Sequence, residues 1–261
     1  PKHGSRLRNL ALGVMTAAGI QPWVLAEPLA HDFYVGIDVL QNQVGYTFFF
    51  GTGGRYTQVE FGEFFQRRRM AEAINPSELR AKLDTGLRAA LAVKAPLRSI
   101  VVHRDGRWWP KEDQALRSAI AELKRSGILA PDCRVAVVEV RKSHLPVRLF
   151  TKRGTAWENP MPGSCWVLNP STAILTTTGK PGAWDNQGRT ASALLLELVH
   201  QSGQFSIEEI ARDAYWLTHL NWNAPEIEIS LPVTIRWNDD LLRYALMQAD
   251  DENTQEGDEA A

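Results

Sequence analysis

The sequence predicts an α/β fold in which a mixed sheet is flanked by helices. Three apolar runs follow one another closely, over residues 33–40, 43–50 and 55–65, and this spacing is typical of an antiparallel meander. Beyond them, segments with helical periodicity alternate with single apolar runs, which favours a partly parallel sheet. The 261 residues are 44% hydrophobic, enough to bury one large core or two small ones.

Turn and cap residues mark the boundaries of the predicted elements. Gln41-Asn42 and Gly51-Thr52-Gly53-Gly54 separate the strands of the meander. Asn75-Pro76-Ser77-Glu78 predicts a helix start, because Asn is a good N-cap and Pro suits the first helical position. The other predicted elements are a helix at 5–18, a strand at 100–103, a helix at 112–126, a strand at 134–140, strands at 166–178 and 191–200, and helices at 206–221 and 237–247.

The order of these elements is a three-strand meander, helix, strand, helix and strand, which is the ribonuclease H arrangement. In that arrangement the first and fourth strands lie side by side. The predicted fold class is therefore a ribonuclease H-like mixed sheet flanked by helices. A loop rich in proline and glycine is predicted at 153–188, before the later strands.

Three aspartates stand after apolar runs: Asp38, Asp105 and Asp239. An ionised carboxylate at the edge of a buried strand costs free energy unless it is paired or binds a cation. A single such aspartate is more often a turn or cap residue. The ribonuclease H order brings Asp38 and Asp105 together, and Asp239, near the start of the last helix, can approach the same edge. The three together favour a site for hard divalent cations.

The formal net charge of −1 conceals a basic body and an acidic end. Residues 247–261 hold six acidic and no basic residues, so the rest of the chain carries +5. A mildly basic body is compatible with a polyanionic partner. The acidic tail is predicted to be disordered and solvated.

Cysteine and hydropathy patterns limit the possible environments. Cys133 and Cys165 are too few for a disulfide scaffold, and no Cys/His cluster has zinc-ligand spacing, so we expect a reducing, cytoplasmic setting. No apolar run reaches the roughly 18 residues of a membrane span, so no membrane partner is expected. Residues 9–20 are apolar after basic residues, which leaves a signal peptide as an alternative.

A series of short motifs, each weak alone, runs in a fixed order across most of the chain. In order, they are Pro22-Trp23-Val24-Leu25, Val35-Gly36-Ile37-Asp38-Val39, Val102-His103-Arg104-Asp105-Gly106-Arg107, Lys142-Ser143-His144 through Arg148-Leu149-Phe150, Asn159-Pro160 with Pro162-Gly163, Gly188-Arg189-Thr190-Ala191, and Leu231-Pro232-Val233-Thr234-Ile235-Arg236-Trp237. Together they resemble the PIWI domain of a prokaryotic Argonaute protein.

The resemblance implies guide-directed cleavage of a DNA or RNA target strand paired with a nucleic-acid guide, using two Mg²⁺ or Mn²⁺ ions. The family's catalytic set then corresponds to Asp38, Glu72, Asp105 and Asp239, with the three aspartates as metal ligands. The position of the glutamate stays open, because Glu60, Glu63 and Glu78 are rivals of Glu72.

The resemblance also implies a domain layout and a strand-binding channel. Residues 1–30 would end a preceding MID-like domain, 31–246 would form the PIWI domain, and 247–261 would be the tail. A MID/PAZ lobe or an associated effector protein is a further expected partner. The residues expected to line the nucleic-acid channel are Lys142, His144, Arg148 and Arg189.

Two other functions remain open at this stage. One is a PIWI module that binds guide and target without cutting and signals to a partner protein. The other is a structure-specific nuclease that needs no guide. Arg67-Arg68-Arg69 fits a phosphate contact or a solvated charge run equally well.

Overall fold

A mixed α/β sheet with helices on both faces forms the body of the protein, as the sequence predicts. The computed structural model describes residues 3–18, 20–40, 43–52, 57–61, 73–93, 96–142, 147–179, 191, 193–222 and 229–259. Across these ranges, the main sheet has eight strands in the order β3-β2-β1-β4-β5-β10-β9-β8. Strands β1, β4 and β5 are parallel neighbours, and the other pairings are antiparallel.

The strands of the main sheet have the following bounds: β1 Phe33–Leu40, β2 Gln43–Phe50, β3 Thr57–Phe61, β4 Ser99–Asp105, β5 Arg134–Arg141, β8 Cys165–Asn169, β9 Thr172–Thr176 and β10 Ala193–Ser202. A separate two-stranded hairpin consists of β6 (Thr151–Arg153) and β7 (Ala156–Glu158). The meander β1-β2-β3 followed by β4 and β5 reproduces the predicted ribonuclease H order.

The helices are α1 His3–Ala17, α2 Pro76–Val93, α3 Pro110–Arg125, α4 Ile207–Leu217 and α5 Val233–Glu259. Helices α2 and α3 cover one face of the sheet, where they bury leucines such as Leu83 and Leu116. Helices α4 and α5 cover the other face around Tyr34 and Val138. Burial of these two apolar layers is the main term that stabilises the fold. No helix within the described ranges is both long enough and apolar enough to cross a membrane.

Helix α5 lies unusually close to β1 and β2, and two glycines allow this. A Cβ atom on Gly36 would stand 1.9 Å from the carbonyl oxygen of Thr234, and one on Gly45 would stand 2.9 Å from the Cβ of Asn238. The Asn238 amide donates to the Gly36 and Thr234 carbonyls at 3.1 Å, and its oxygen accepts from the Thr47 hydroxyl at 2.7 Å. These bonds fix the rotation of α5 against the sheet.

The start of α5 differs from the prediction. The last helix was expected from residue 237, with the apolar run 231–235 before it, but the helix begins at Val233. The carbonyl of Pro232 accepts from the Arg236 amide at 2.9 Å, which opens the first turn. Val233 and Ile235 are β-branched and favour strands locally, yet both are buried against the sheet, and this tertiary packing outweighs the weak propensity.

The acidic end and the central loop also differ from expectation. The tail was predicted to be disordered from residue 247, whereas α5 continues to Glu259. This stretch contains no proline to stop the helix, and Gln, Glu and Ala are good helix formers. The loop predicted at 153–188 contains β7, β8 and β9, and the segment predicted as one strand at 166–178 is a hairpin of two strands.

Gly36→Ala should destabilise the protein by at least about 1–3 kcal/mol, because the added methyl group would collide with backbone that cannot move independently of α5. Urea unfolding of wild type and variant measures the change. Gly13→Ala in α1 is the matched control, since nothing lies within 4 Å of its added Cβ, and it should be neutral or slightly stabilising. Equal destabilisation by the two substitutions would contradict this account of the packing.

Candidate functional site

The parallel pairing of β1 with β4 brings two aspartates to one edge of the sheet. Ile37 is in register with Arg104, so Asp38 and Asp105, the next residues on each strand, are neighbours. Asp38 is only 5% exposed, and the side chain of Asp105 is 14% exposed. From α5, Asp239 approaches the same edge and is also 5% exposed. The three aspartates predicted from the sequence therefore converge.

The effect of this cluster on its members is clearest in the pKa of Asp38. Burial raises the pKa of its carboxyl group to about 7, and the negative charges of Asp105 and Asp239 contribute to the rise. Lys142 and Arg104 oppose the rise but do not cancel it. Three carboxylates in a space with little water thus repel one another, and a further positive charge at the cluster would lower its free energy.

Basic side chains contact two of the three carboxylates. The ammonium of Lys142, directly after β5, lies 2.9 Å from Asp105 Oδ2. Arg243 Nε lies 3.0 Å from Asp239 Oδ1, and an Arg236 nitrogen lies 3.6 Å from its other oxygen. Burial alone would lower the pKa of Lys142, but the neighbouring Asp105, and behind it Asp239 and Asp38, raises it above its usual value. Lys142 therefore remains charged at the cluster.

A buried histidine that is not among the predicted site residues helps to hold the strands and helix of the site together. His103 Nδ1 lies 3.0 Å from the Thr234 hydroxyl, which links β4 to the first turn of α5. Burial lowers the pKa of His103 to about 3, so its imidazole is neutral at physiological pH. The sequence signal that could have found His103 is its spacing. It stands two residues before Asp105 on one strand, so the two side chains lie on the same face.

A second buried polar cluster lies on the opposite face of the sheet. Arg104 and Glu112 are both fully buried, with 3.8 Å between Arg104 Nε and Glu112 Oε2. The Glu112 carboxylate accepts from the backbone amides of Ile74 at 2.8 Å and Trp109 at 3.1 Å. This carboxylate therefore fixes both the start of α3 and the backbone just before α2. No sequence motif indicates this pairing of a strand residue with a helix residue.

Two of the four candidate glutamates lie within the described residues. Glu72 and Glu63 lie outside those residues, and Glu60 belongs to β3. Glu78 lies in the first turn of α2, where it adds to the burial that raises the pKa of Tyr46. Tyr46 belongs to the core under α2 and α3, so Glu78 acts on the face opposite to Asp38.

Two of the four predicted strand-binding residues also lie within the described residues. Lys142 lies at the carboxylate cluster, and Arg148 is exposed in the segment that leads to β6. His144, Arg189 and the run Arg67–Arg69 lie outside the described residues. Of the two predicted strand-binding residues within the described ranges, Lys142 is therefore the one that contacts an aspartate.

The donor set of the cluster fits a hard divalent cation. Carboxylate oxygens are the ligands that Mg²⁺ and Mn²⁺ prefer, and the mutual repulsion at Asp38 is the electrostatic condition that such a cation relieves. In the described part of the chain, no three His, Cys, Asp or Glu side chains stand in a metal-holding arrangement. Asp105 and Asp239 contact Lys142 and Arg243 instead.

Two Argonaute structures are among the solved structures that are similar to the chain over most of its length. A structure of Clostridium butyricum Argonaute bound to a guide DNA and a 19-mer target DNA covers 92% of the chain, with a TM-score of 0.74 and 20% identity. A crystal structure of A. aeolicus Argonaute covers 89%, with a TM-score of 0.64 and 19% identity. The chain spans only 30% and 31% of those two proteins.

These similarities show the fold, a ribonuclease H-like α/β arrangement. No protein-family model and no curated protein matches the sequence. The fold predicted from element order is confirmed, whereas the chemistry depends on the residues of the site and not on the fold.

Asp38 should make the stability of the metal-free protein depend on pH. Because its pKa is raised from 3.8 to about 7, the folded state binds a proton that the unfolded state has lost between these values, so this contribution to stability falls as pH rises through that window. Urea unfolding in EDTA at pH 5 and pH 8 should show this fall in wild type and a smaller one in Asp38→Asn.

Asp84→Asn is the control for this measurement, because Asp84 lies on α2 in an exposed pair with Arg88. It should keep the wild-type difference between pH 5 and pH 8. If Asp38→Asn also keeps the full difference, Asp38 does not hold a raised pKa and the electrostatic description of the cluster is wrong.

Proposed function

We propose that this chain is the catalytic part of a guide-directed endonuclease, which cleaves a DNA or RNA target strand paired with a nucleic-acid guide by two-metal-ion phosphodiester hydrolysis. The observation that carries the proposal is the convergence of Asp38, Asp105 and Asp239 from β1, β4 and α5. The similar Clostridium butyricum Argonaute structure, which holds guide and target DNA, supports the choice of substrate.

In this proposal Asp38, Asp105 and Asp239 hold Mg²⁺ or Mn²⁺, and Glu72 completes the set. Bound ions of this kind activate water and stabilise charge at the attacking and leaving oxygens of a phosphodiester. The protein contributes a rigid position for each carboxylate. Asp38 and Asp105 belong to paired strands, and the Asn238 bonds hold α5, and with it Asp239, against β1.

The basic residues of the same edge serve strand binding in this proposal. Lys142 places a positive charge beside the carboxylates, where it can contact a phosphate next to the one that is cut. Arg148, with His144 and Arg189, would contact the backbone of the guide or the target. Such contacts position the strands without reading their sequence.

The parts of the two Argonaute proteins that this chain does not span support a proposal about its partners. The chain spans about 30% of the Clostridium butyricum Argonaute chain, so a MID/PAZ lobe or an associated effector protein would provide the remaining guide contacts. Residues 1–30 are proposed to end a MID-like domain. Leu7, Leu10 and Val14 form an exposed apolar stripe on α1, which supports contact with a further domain on that helix.

A non-cleaving module that binds guide and target and signals to a partner is the second candidate. It is favoured by the contacts of Lys142 with Asp105 and of Arg243 with Asp239, which neutralise two of the carboxylates without a metal ion. The two candidates share the nucleic-acid surface and differ only in cleavage.

Cleavage of a labelled target, with a matched or mismatched 5′-phosphorylated guide and Mg²⁺ or Mn²⁺, tests the proposal. Asp38→Ala and Asp105→Ala should each reduce the rate by at least about a hundredfold, because each removes a metal ligand. Asp240→Asn is the matched control on α5. It lies next to Asp239 and pairs with Arg236 at 2.8 Å, so it should cut at close to the wild-type rate.

The outcomes separate the candidates. Site-specific cutting that requires the matched guide and is lost in both alanine variants supports the endonuclease. Salt-sensitive binding of the duplex without cutting supports the non-cleaving module. Cutting that ignores the guide supports a structure-specific nuclease, and cutting that survives Asp105→Ala overturns the carboxylate mechanism.

A further inference from the structure

The hairpin of β6 and β7 stands apart from both cores and carries an unusual surface. Among the described residues it pairs only within itself, as Thr151 with Glu158 and Lys152 with Trp157, and does not join the eight-stranded sheet. All of its side chains are exposed except the half-buried Glu158. The hairpin therefore contributes little to the stability of the fold, and stability does not explain which residues it exposes.

The base of the hairpin lies at the end of the sheet that holds the carboxylates, as the contact that follows β7 shows. Asn159, directly after β7, is buried and accepts from the Ala191 amide at 2.9 Å, just before β10 begins. That start of β10 is beside the end of β5, where Leu195 is in register with Arg141. Because Val140 is in register with Asp105, the base of the hairpin is at the same end of the sheet as the carboxylates.

The surface of the hairpin combines an aromatic ring with positive charge. The Trp157 side chain is 58% exposed, and the Lys152 ammonium lies 5.9 Å from the centre of its ring. Arg153 is exposed at the end of β6. Phe150, which directly precedes β6, is 41% exposed. A single exposed aromatic residue is common and needs no explanation. An exposed tryptophan paired with a lysine, on a hairpin that also carries an arginine at its turn, has the features of a single-strand binding surface.

We propose that the β6–β7 hairpin is an arm that binds a single-stranded segment of nucleic acid adjoining the duplex at the carboxylate site. Trp157 stacks on a base, Lys152 on the same face contacts a flanking phosphate, and Arg153 beside the turn contacts a further phosphate. The charge of these side chains complements a phosphate backbone, and stacking is possible with any base, so the arm binds without sequence preference. This inference rests on the proposed substrate class, but it does not depend on cleavage.

Fluorescence anisotropy with two labelled substrates tests the arm. One is a blunt guide–target duplex, and the other carries a single-stranded extension of the target. Trp157→Ala should weaken binding of the extended substrate about tenfold, which is the usual loss for one stacked base, and should leave blunt-duplex binding unchanged. Trp157→Phe should restore most of the affinity, because it retains an aromatic face.

Trp166→Ala is the matched control, because Trp166 is similarly exposed at 60% but lies on β8, an edge strand of the main sheet, and not on the hairpin. It should bind both substrates as wild type does. Replacing Lys152 and Arg153 with Ala should reduce the slope of log affinity against log salt by about 0.7 per residue for the extended substrate. Thermal unfolding checks that each variant remains folded.

Equal binding of the extended substrate by wild type and Trp157→Ala would overturn the arm, whether or not the protein cuts. An equal loss in Trp166→Ala would overturn it as well, because the effect would then not be specific to the hairpin. A Trp157-dependent preference for the extended substrate in a protein that does not cut would support the arm while contradicting the endonuclease. The two proposals therefore fail in distinguishable ways.

Discussion

The close approach of α5 to β1 and β2 is the constraint on which the site depends. Gly36 and Gly45 leave no side chain between helix and sheet, and Asn238 fills the contact with bonds to the Gly36 carbonyl and the Thr47 hydroxyl. A larger residue at either glycine would lift the helix and carry Asp239 away from Asp38. The packing that stabilises the fold is therefore the same packing that assembles the carboxylates.

Assembly of the cluster has an electrostatic cost that the surrounding residues only partly offset. Asp38 is buried beside two other carboxylates, and its raised pKa reflects both the loss of water and the repulsion. Lys142 and Arg243 lower this cost at Asp105 and Asp239. Buried like charges that neighbouring cations do not fully neutralise are more typical of functional sites than of structural ones.

The fold and the aspartates were predictable from the sequence for a physical reason. The bounds of β1 and β2 agree with the apolar runs, and parallel strands that end at one edge bring Asp38 and Asp105 together. The Arg104–Glu112 pair was not predictable, because the order of elements does not show how α3 is rotated over β4, and this rotation decides whether the two side chains meet. The start of α5 was missed because the strand-like Val233 and Ile235 become helical only through packing on the sheet.

Anomalous diffraction from crystals grown with Mn²⁺ and a guide–target duplex tests the central claim most directly. The account predicts Mn²⁺ density within about 2.5 Å of carboxylate oxygens of Asp38, with Asp105 or Asp239 as a second ligand, and loss of that density in Asp38→Asn. Well-ordered crystals at millimolar Mn²⁺ with no density at Asp38, and with Lys142 still paired to Asp105, would contradict it.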